Sequence, residues 1–228
     1  MDSGMVELIF VHVPKCAGIS FLHTLEGVYG KENCKQVWDL FPYKLHHHGD
    51  YTHIIDSPFY CNRLAFRELA DDVFRQPVGA RVVHGHMPLW MYDGYFPGVP
   101  RVVWLRNPMD QVLSRIFHFR KHKILDAHLV SPREMLDHPL FRNNQFWYTG
   151  GMLQQFAFVG IVERYEQCAS VLSEQMGWGD PPLYHYHPTE FEEELREECK
   201  SDPSFVAHLR HVNVHDFALY DYAAAQWI

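Results

Sequence analysis

The hydrophobic pattern divides the chain into short apolar runs separated by longer stretches with a helical rhythm. Residues 7–13, ELIFVHV, read as a short buried strand that His12 interrupts just before a turn. Beyond Pro14-Lys15-Cys16-Ala17-Gly18, the residues Phe21, Leu22, Leu25, Val28 and Tyr29 recur at helical spacing, and Gly30 ends that helix. Residues 80–83 form a second strand running into His84-Gly85-His86. Residues 101–105, RVVWL, form a third that ends at Arg106-Asn107-Pro108. Asn107 as N-cap, Pro108 at the first helical position and Asp110 in the first turn predict a helix from 108 to about 123. Residues 158–162 are a fourth strand.

Further helices are predicted over 62–74, from the capping box Ser131-Pro132-Arg133-Glu134, and over 163–176 with Gly177 as its stop. An acidic helix over 189–200, another from Asp202-Pro203 and a C-terminal helix carrying Phe217, Tyr220 and Ala224 follow. Its glutamates, Glu192 to Glu194 with Glu197 and Glu198, read as a solvated face. Residues 31–60 show no regular pattern, and His46-His47-His48 before Gly49-Asp50 reads as a loop. Apolar strands alternating with helices predict an α/β fold, a central and mainly parallel sheet flanked by helices. A length of 228 residues fits a single domain over 1–228.

Charge narrows the partners. Lys plus Arg is 20 against 28 for Asp plus Glu, a net charge of −8, which argues against a general nucleic-acid binder but leaves room for one basic pocket. The five cysteines, Cys16, Cys34, Cys61, Cys168 and Cys199, form no C-x-x-C pair, so a reducing compartment is expected. No apolar run approaches the ~20 residues of a membrane helix. The expectation is a cytoplasmic protein with no membrane partner.

Candidate chemistry gathers at three strand ends. In Pro14-Lys15-Cys16-Ala17-Gly18-Ile19-Ser20 a strand delivers a tight loop onto a helix N-terminus, where backbone N–H groups and the helix dipole favour an anion. Lys15 adds a point charge, Ser20 a hydroxyl, and Ala17 and Gly18 allow close approach. Arg106 stands at the edge of the third strand, where open α/β sheets bind ligands, and its fork suits a phosphate. Ser114 lies about two turns along the next helix. His84 and His86 flank Gly85 after a strand. Either could serve as a general base, with an ordinary imidazole pKa of roughly 6.5. They lack a further ligand at recognisable spacing, so no metal is expected.

Together these segments resemble the sulfotransferases that use 3′-phosphoadenosine 5′-phosphosulfate, most nearly the carbohydrate branch containing the heparan-sulfate 2-O-sulfotransferases and their bacterial relatives. The resemblance is carried by FVHVPKCAGISF at 10–21, VVHGHMPLW at 82–90, VVWLRNPMDQVLSRIFHF at 102–119, FVGIVERYEQCASVL at 158–172 and VNVHDFALYDYAAA at 212–225. It implies the P-loop-NTPase-like sulfotransferase fold. It implies that Lys15, Cys16, Ala17, Gly18, Ile19 and Ser20 hold the 5′-phosphosulfate side of the donor, and that Arg106 and Ser114 hold the 3′-phosphate. His86 is then the catalytic base with His84 beside it, Lys15 stabilises the transferring group, and adenosine 3′,5′-bisphosphate is the product. It also places Asn143-Asn144-Gln145 on the cleft. The loop departs from the usual PKTGGTS-like form at Cys16, Ala17 and Ile19.

The implied acceptor is a small-molecule or glycan hydroxyl. Two alternatives use the same loop and Arg106: a nucleotide-dependent kinase or other phosphotransferase, and a catalytically inactive nucleotide-binding protein of the same fold. The kinase reading calls for a Walker A glycine pattern and Mg²⁺-binding carboxylates, which the sequence does not show.

Overall fold

The computed structural model describes residues 5–36, 74, 79–184 and 191–227. Five strands make one parallel sheet: β1 (Leu8–Val11), β2 (Cys34–Gln36), β3 (Val82–Gly85), β4 (Arg101–Leu105) and β5 (Phe158–Ile161). Their spatial order is β2-β3-β1-β4-β5. The four residues of β1 are fully buried, as expected for a central parallel strand covered on both faces. β1 pairs with β3 on one side and β4 on the other, so three carboxyl ends stand next to one another. The order of connection reverses there, which is where open α/β sheets form a binding crevice.

The helices are α1 (Gly18–Tyr29), α2 (Pro108–Lys121), α3 (Pro132–Met135), α4 (Asn144–Thr149), α5 (Tyr165–Met176), α6 (Glu193–Ser201), α7 (Pro203–Val212) and α8 (Val214–Gln226). Their boundaries follow local chemistry. Asn107 accepts the N–H of Met109 at the start of α2, and Ser131 and Glu134 form the capping box of α3. Gly177 ends α5 in the left-handed conformation at φ 68°.

One apolar cluster fills the space around the sheet with Phe10, Phe21, Trp104, Val159 and Leu172. A second lies between α2 and α7, built on Ile116, Phe119, Phe141, Phe205 and Leu209. Arg196 of α6 lies over the Phe117 ring of α2 at 5.0 Å. Ion pairs flank that contact, Lys200 to Asp110 at 3.2 Å and Arg120 to Glu192 at 2.6 Å, so α6 runs antiparallel to α2.

Several expectations need correction. The second predicted strand lies two residues later, so His84 sits within β3 instead of after it. The acidic helix starts at Glu193, because Glu192 adopts a left-handed φ of 49°. Glu193, Glu194, Glu197 and Glu198 are exposed as expected, but Arg196 turns inward between them. Two short elements escaped prediction: β2, an edge strand too short to show alternation, and the six-residue α4. The helix predicted over 62–74, apart from Phe74, and the His46–His48 loop lie outside the described residues. Among the described residues no helix is long and apolar enough to cross a membrane, and Cys16, Cys34, Cys168 and Cys199 are free thiols.

Candidate active site

The loop between β1 and α1 is tightly wound. Lys15 and Ala17 both hold positive φ, 66° and 52°, a conformation that costs a non-glycine residue about 1–2 kcal/mol. Cys16 donates its backbone N–H to Val13 O at 3.3 Å, and its thiol is fully buried against Gln145. Burial pushes that thiol's pKa far up, so Cys16 serves the loop as a small apolar plug. Gly18 opens α1, where the first N–H groups have no intrahelical acceptor. Ile19 is exposed and Ser20 buried, so any anion at this helix start meets backbone and the Lys15 side chain.

Gly18 is required by close approach. A Cβ there would lie 1.5 Å from His12 Nε2. The His12 ring stacks on Phe10 at 5.2 Å and meets the His86 ring at 4.1 Å. The Gly18→Ala substitution is therefore expected to displace His12, disturb His86 and lower stability by about 1–3 kcal/mol, the usual range for overpacking. Thermal unfolding reads the effect, and a variant with the wild-type melting point would contradict the packing described.

His86 follows β3 directly. Its Nδ1 lies 2.8 Å from the carbonyl oxygen of His12. A carbonyl only accepts, so Nδ1 carries the hydrogen and Nε2 keeps its lone pair. Burial, with the charges of Arg115 and Lys15 adding to it, holds the imidazole down at about 4 and therefore neutral at pH 7. The ordinary value expected from sequence is thus corrected. His84 is buried within β3 and its Nδ1 has no hydrogen-bond partner. Burial lowers it to about 4 as well. Its position in the strand makes it a wall of the site, and His86 is the imidazole with a defined tautomer.

The end of β4 is held by a side chain from α4. Gln145 accepts the Arg106 N–H at 2.9 Å and donates to the Arg106 carbonyl at 2.8 Å, continuing the strand's pairing with an amide. Asp216 of α8 accepts the N–H groups of Gln145 and Phe146 at 3.1 and 2.7 Å. Asn143 in return accepts the N–H groups of His215 and Asp216 at 3.0 and 3.2 Å. Two helix starts thus cap each other. The hydrogen bonds of the Asn143–Gln145 segment hold other residues in place. The Arg106 guanidinium reaches back to the Lys15 carbonyl at 3.3 Å, which ties the first and third motifs together.

One face of α2 lines the same crevice. Gln111 donates to Pro14 O at 2.9 Å. Ser114 is buried two turns from Arg106. Arg115, 4% exposed, donates Nη1 to Asn144 Oδ1, while its Nε is buried without a partner. Burial and the nearby Lys15 charge hold His118 at about 4. Burial lowers the pKa of Lys15, and the charges of Arg106, Arg196 and Arg115 add to it. Three arginines from separate elements thus act on the Lys15 charge in a chain of net charge −8.

The structure thus brings together Lys15, the Cys16–Ser20 helix start, Arg106 and His86. It adds His12, Gln111 and Arg115, which sequence reasoning missed. A signal for part of this set was present: Gln111, Arg115 and His118 recur at steps of four and three as a polar stripe on α2. Nothing comparable marks His12.

No family model and no curated protein matches the chain. Among solved structures, a sulfotransferase from Alicyclobacillus acidocaldarius is similar to it, with 19% identity, a TM-score of 0.47, and coverage of 96% of this chain and 99% of that one.

Proposed function

We propose that the protein is a sulfotransferase that moves a sulfuryl group from 3′-phosphoadenosine 5′-phosphosulfate to a hydroxyl acceptor. The observation that carries this reading is that Arg106 at the end of β4 bonds the Lys15 carbonyl after β1, while at the neighbouring β3 end a neutral His86 is held through Nδ1 by the His12 carbonyl, leaving Nε2 its lone pair. Two cations at adjacent strand ends fit a ligand with several negative charges, and partly desolvated cations bind such groups more strongly than exposed ones. The sequence resemblance supplies the identity of that ligand.

Each residue then has a task. Nε2 of His86 takes the acceptor's hydroxyl proton as the oxygen attacks sulfur. The sulfur–oxygen bond to the 5′-phosphate breaks in line with the attack. Lys15 faces the charge that develops on the bridging oxygen, which leaves with adenosine 3′,5′-bisphosphate. Arg106 and Ser114 hold the 3′-phosphate. Gln145 fixes Arg106, and the His12 carbonyl fixes the tautomer of His86. The acceptor is a small molecule or glycan offering a hydroxyl to His86.

The proposal is tested first by binding. Adenosine 3′,5′-bisphosphate is expected to bind at least tenfold more tightly than adenosine 5′-monophosphate, because a charge-assisted hydrogen bond contributes about 1.5–3 kcal/mol. Arg106→Ala should remove most of that preference. Calorimetry giving equal affinities for the two nucleotides in the wild-type protein would overturn the donor assignment, and a preference for Mg-ATP would favour a phosphotransferase.

A further inference from the structure

The Arg106 side chain can be aimed only as well as its backbone is held. β4 pairs with β5 as far as Leu105 opposite Ile161, so Arg106 and Asn107 lie beyond the last position of that ladder. Side chains from elsewhere take over where the strand pairing stops. Gln145 accepts the Arg106 N–H and donates to its carbonyl. Glu163, in the turn after β5, accepts the Asn107 N–H at 2.8 Å.

Both of those side chains answer to α8. Asp216, fully buried, accepts the N–H of Gln145 on one carboxylate oxygen and that of Phe146 on the other, which fixes the start of α4. Tyr220 donates its hydroxyl to Glu163 Oε2 at 3.0 Å. Asp216 and Tyr220 are four residues apart and share a face of α8. Two chains of hydrogen bonds thus leave one helix, one turn apart, and end on consecutive residues. One runs from Asp216 through Gln145 to Arg106, the other from Tyr220 through Glu163 to Asn107.

We propose that Asp216 and Tyr220 are positioning residues for recognition of the donor's 3′-phosphate, because together they hold the backbone from which Arg106 reaches it. The inference rests on the donor reading above and gives α8 a part in it. Arg106 Nη1 bonds the Lys15 carbonyl at 3.3 Å, and its remaining N–H groups are the ones a phosphate would meet. A planar fork binds such a group well only in a narrow range of positions. Slack at the end of β4 would therefore weaken the contact to the 3′-phosphate and spare the 5′ end, which the loop between β1 and α1 serves.

The experiment uses the full chain and calorimetry with adenosine 3′,5′-bisphosphate and adenosine 5′-monophosphate. Asp216→Asn replaces one accepting oxygen by a donor, and Tyr220→Phe removes one hydroxyl while keeping the ring. The preference for the bisphosphate is expected to fall about fivefold in the first and about threefold in the second, with affinity for the 5′-monophosphate unchanged. In an Arg106→Ala background neither substitution should lower the residual preference further, because residues that act through one another are not additive. Thermal unfolding verifies that the variants fold, and Tyr220→Phe decides the matter should Asp216→Asn unfold. If the wild-type protein does not distinguish the two nucleotides, the donor reading fails and this inference falls with it. If it does, and Tyr220→Phe and folded Asp216→Asn keep the full preference, this inference alone is overturned. Equal weakening of both nucleotides, or the same loss in the Arg106→Ala background, would also overturn it, by showing a general loosening of the fold.

Discussion

Replacing His86 with alanine is expected to lower turnover by about 10²–10⁴-fold at saturating donor, the usual worth of a positioned general base. Binding of adenosine 3′,5′-bisphosphate should stay nearly unchanged, because in the proposed mechanism the imidazole meets the acceptor and not the nucleotide. The pH profile adds a sharper test. The folded protein holds His86 at about 4, below its ordinary value, so the active neutral form dominates above that pH and activity falls as pH drops through it. The acid limb of kcat/KM, which reports the free enzyme, should therefore lie near 4, not 6.5. Lys15 and Arg115 contribute to that depression. A bound anionic donor offsets their charge, so the acid limb of kcat should sit at higher pH than that of kcat/KM. A His86→Ala protein with wild-type turnover and the same profile would reject the assignment. The same measurement on His84→Ala should show the smaller loss, because that ring is enclosed in β3 and only supports its neighbour.

Replacing Lys15 with alanine is expected to lower turnover at saturating donor more than it weakens binding of the spent bisphosphate. The lysine sits at the turn of a strained loop, and its carbonyl is held by Arg106. Its ammonium is partly desolvated and surrounded by other cations. Such a group gains most when negative charge grows in front of it, which happens as the bridging bond breaks. Interactions made mainly in the transition state appear in kcat, whereas uniform binding appears in KM. A loss of about 10²-fold or more in kcat is expected, comparable to removing one oxyanion donor in other enzymes. If KM for the donor alone changed, Lys15 would be a binding residue with no special part in the chemical step.

Much of the crevice was legible because its parts are local. A lysine and a small-residue loop between an apolar strand and a helix start occupy seven consecutive residues. The same holds for Arg106 with its Asn-Pro helix start. The resemblance named both for phosphate, and the fold sets their elements side by side as β1 and β4. The pair of histidines was legible as a pair but not as individuals. A strand boundary moved by two residues decides which ring is enclosed, and short apolar runs mark such boundaries poorly. Cys16 and Ile19 stand where the usual loop has other residues. The fold shows Cys16 buried with the loop closed over it, and Ile19 facing out, so neither side chain presents a polar group to an anion.

By itself the sequence determined the alternation of strands and helices, their capping residues and the three strand-end motifs. These depend on periodicity and on hydrogen bonds between near neighbours, which a single chain segment carries within itself. Only the tertiary structure decided that His12 lends its carbonyl to His86, that Gln145 from a six-residue helix holds the end of β4, and that Arg196 lies over Phe117. Those contacts join residues as far as 79 positions apart, from Phe117 to Arg196. They follow from the order of the sheet and from two ion pairs that lay an acidic helix against α2. The pattern along α6 specifies a solvated face; its packing against α2 is what turns Arg196 inward onto Phe117.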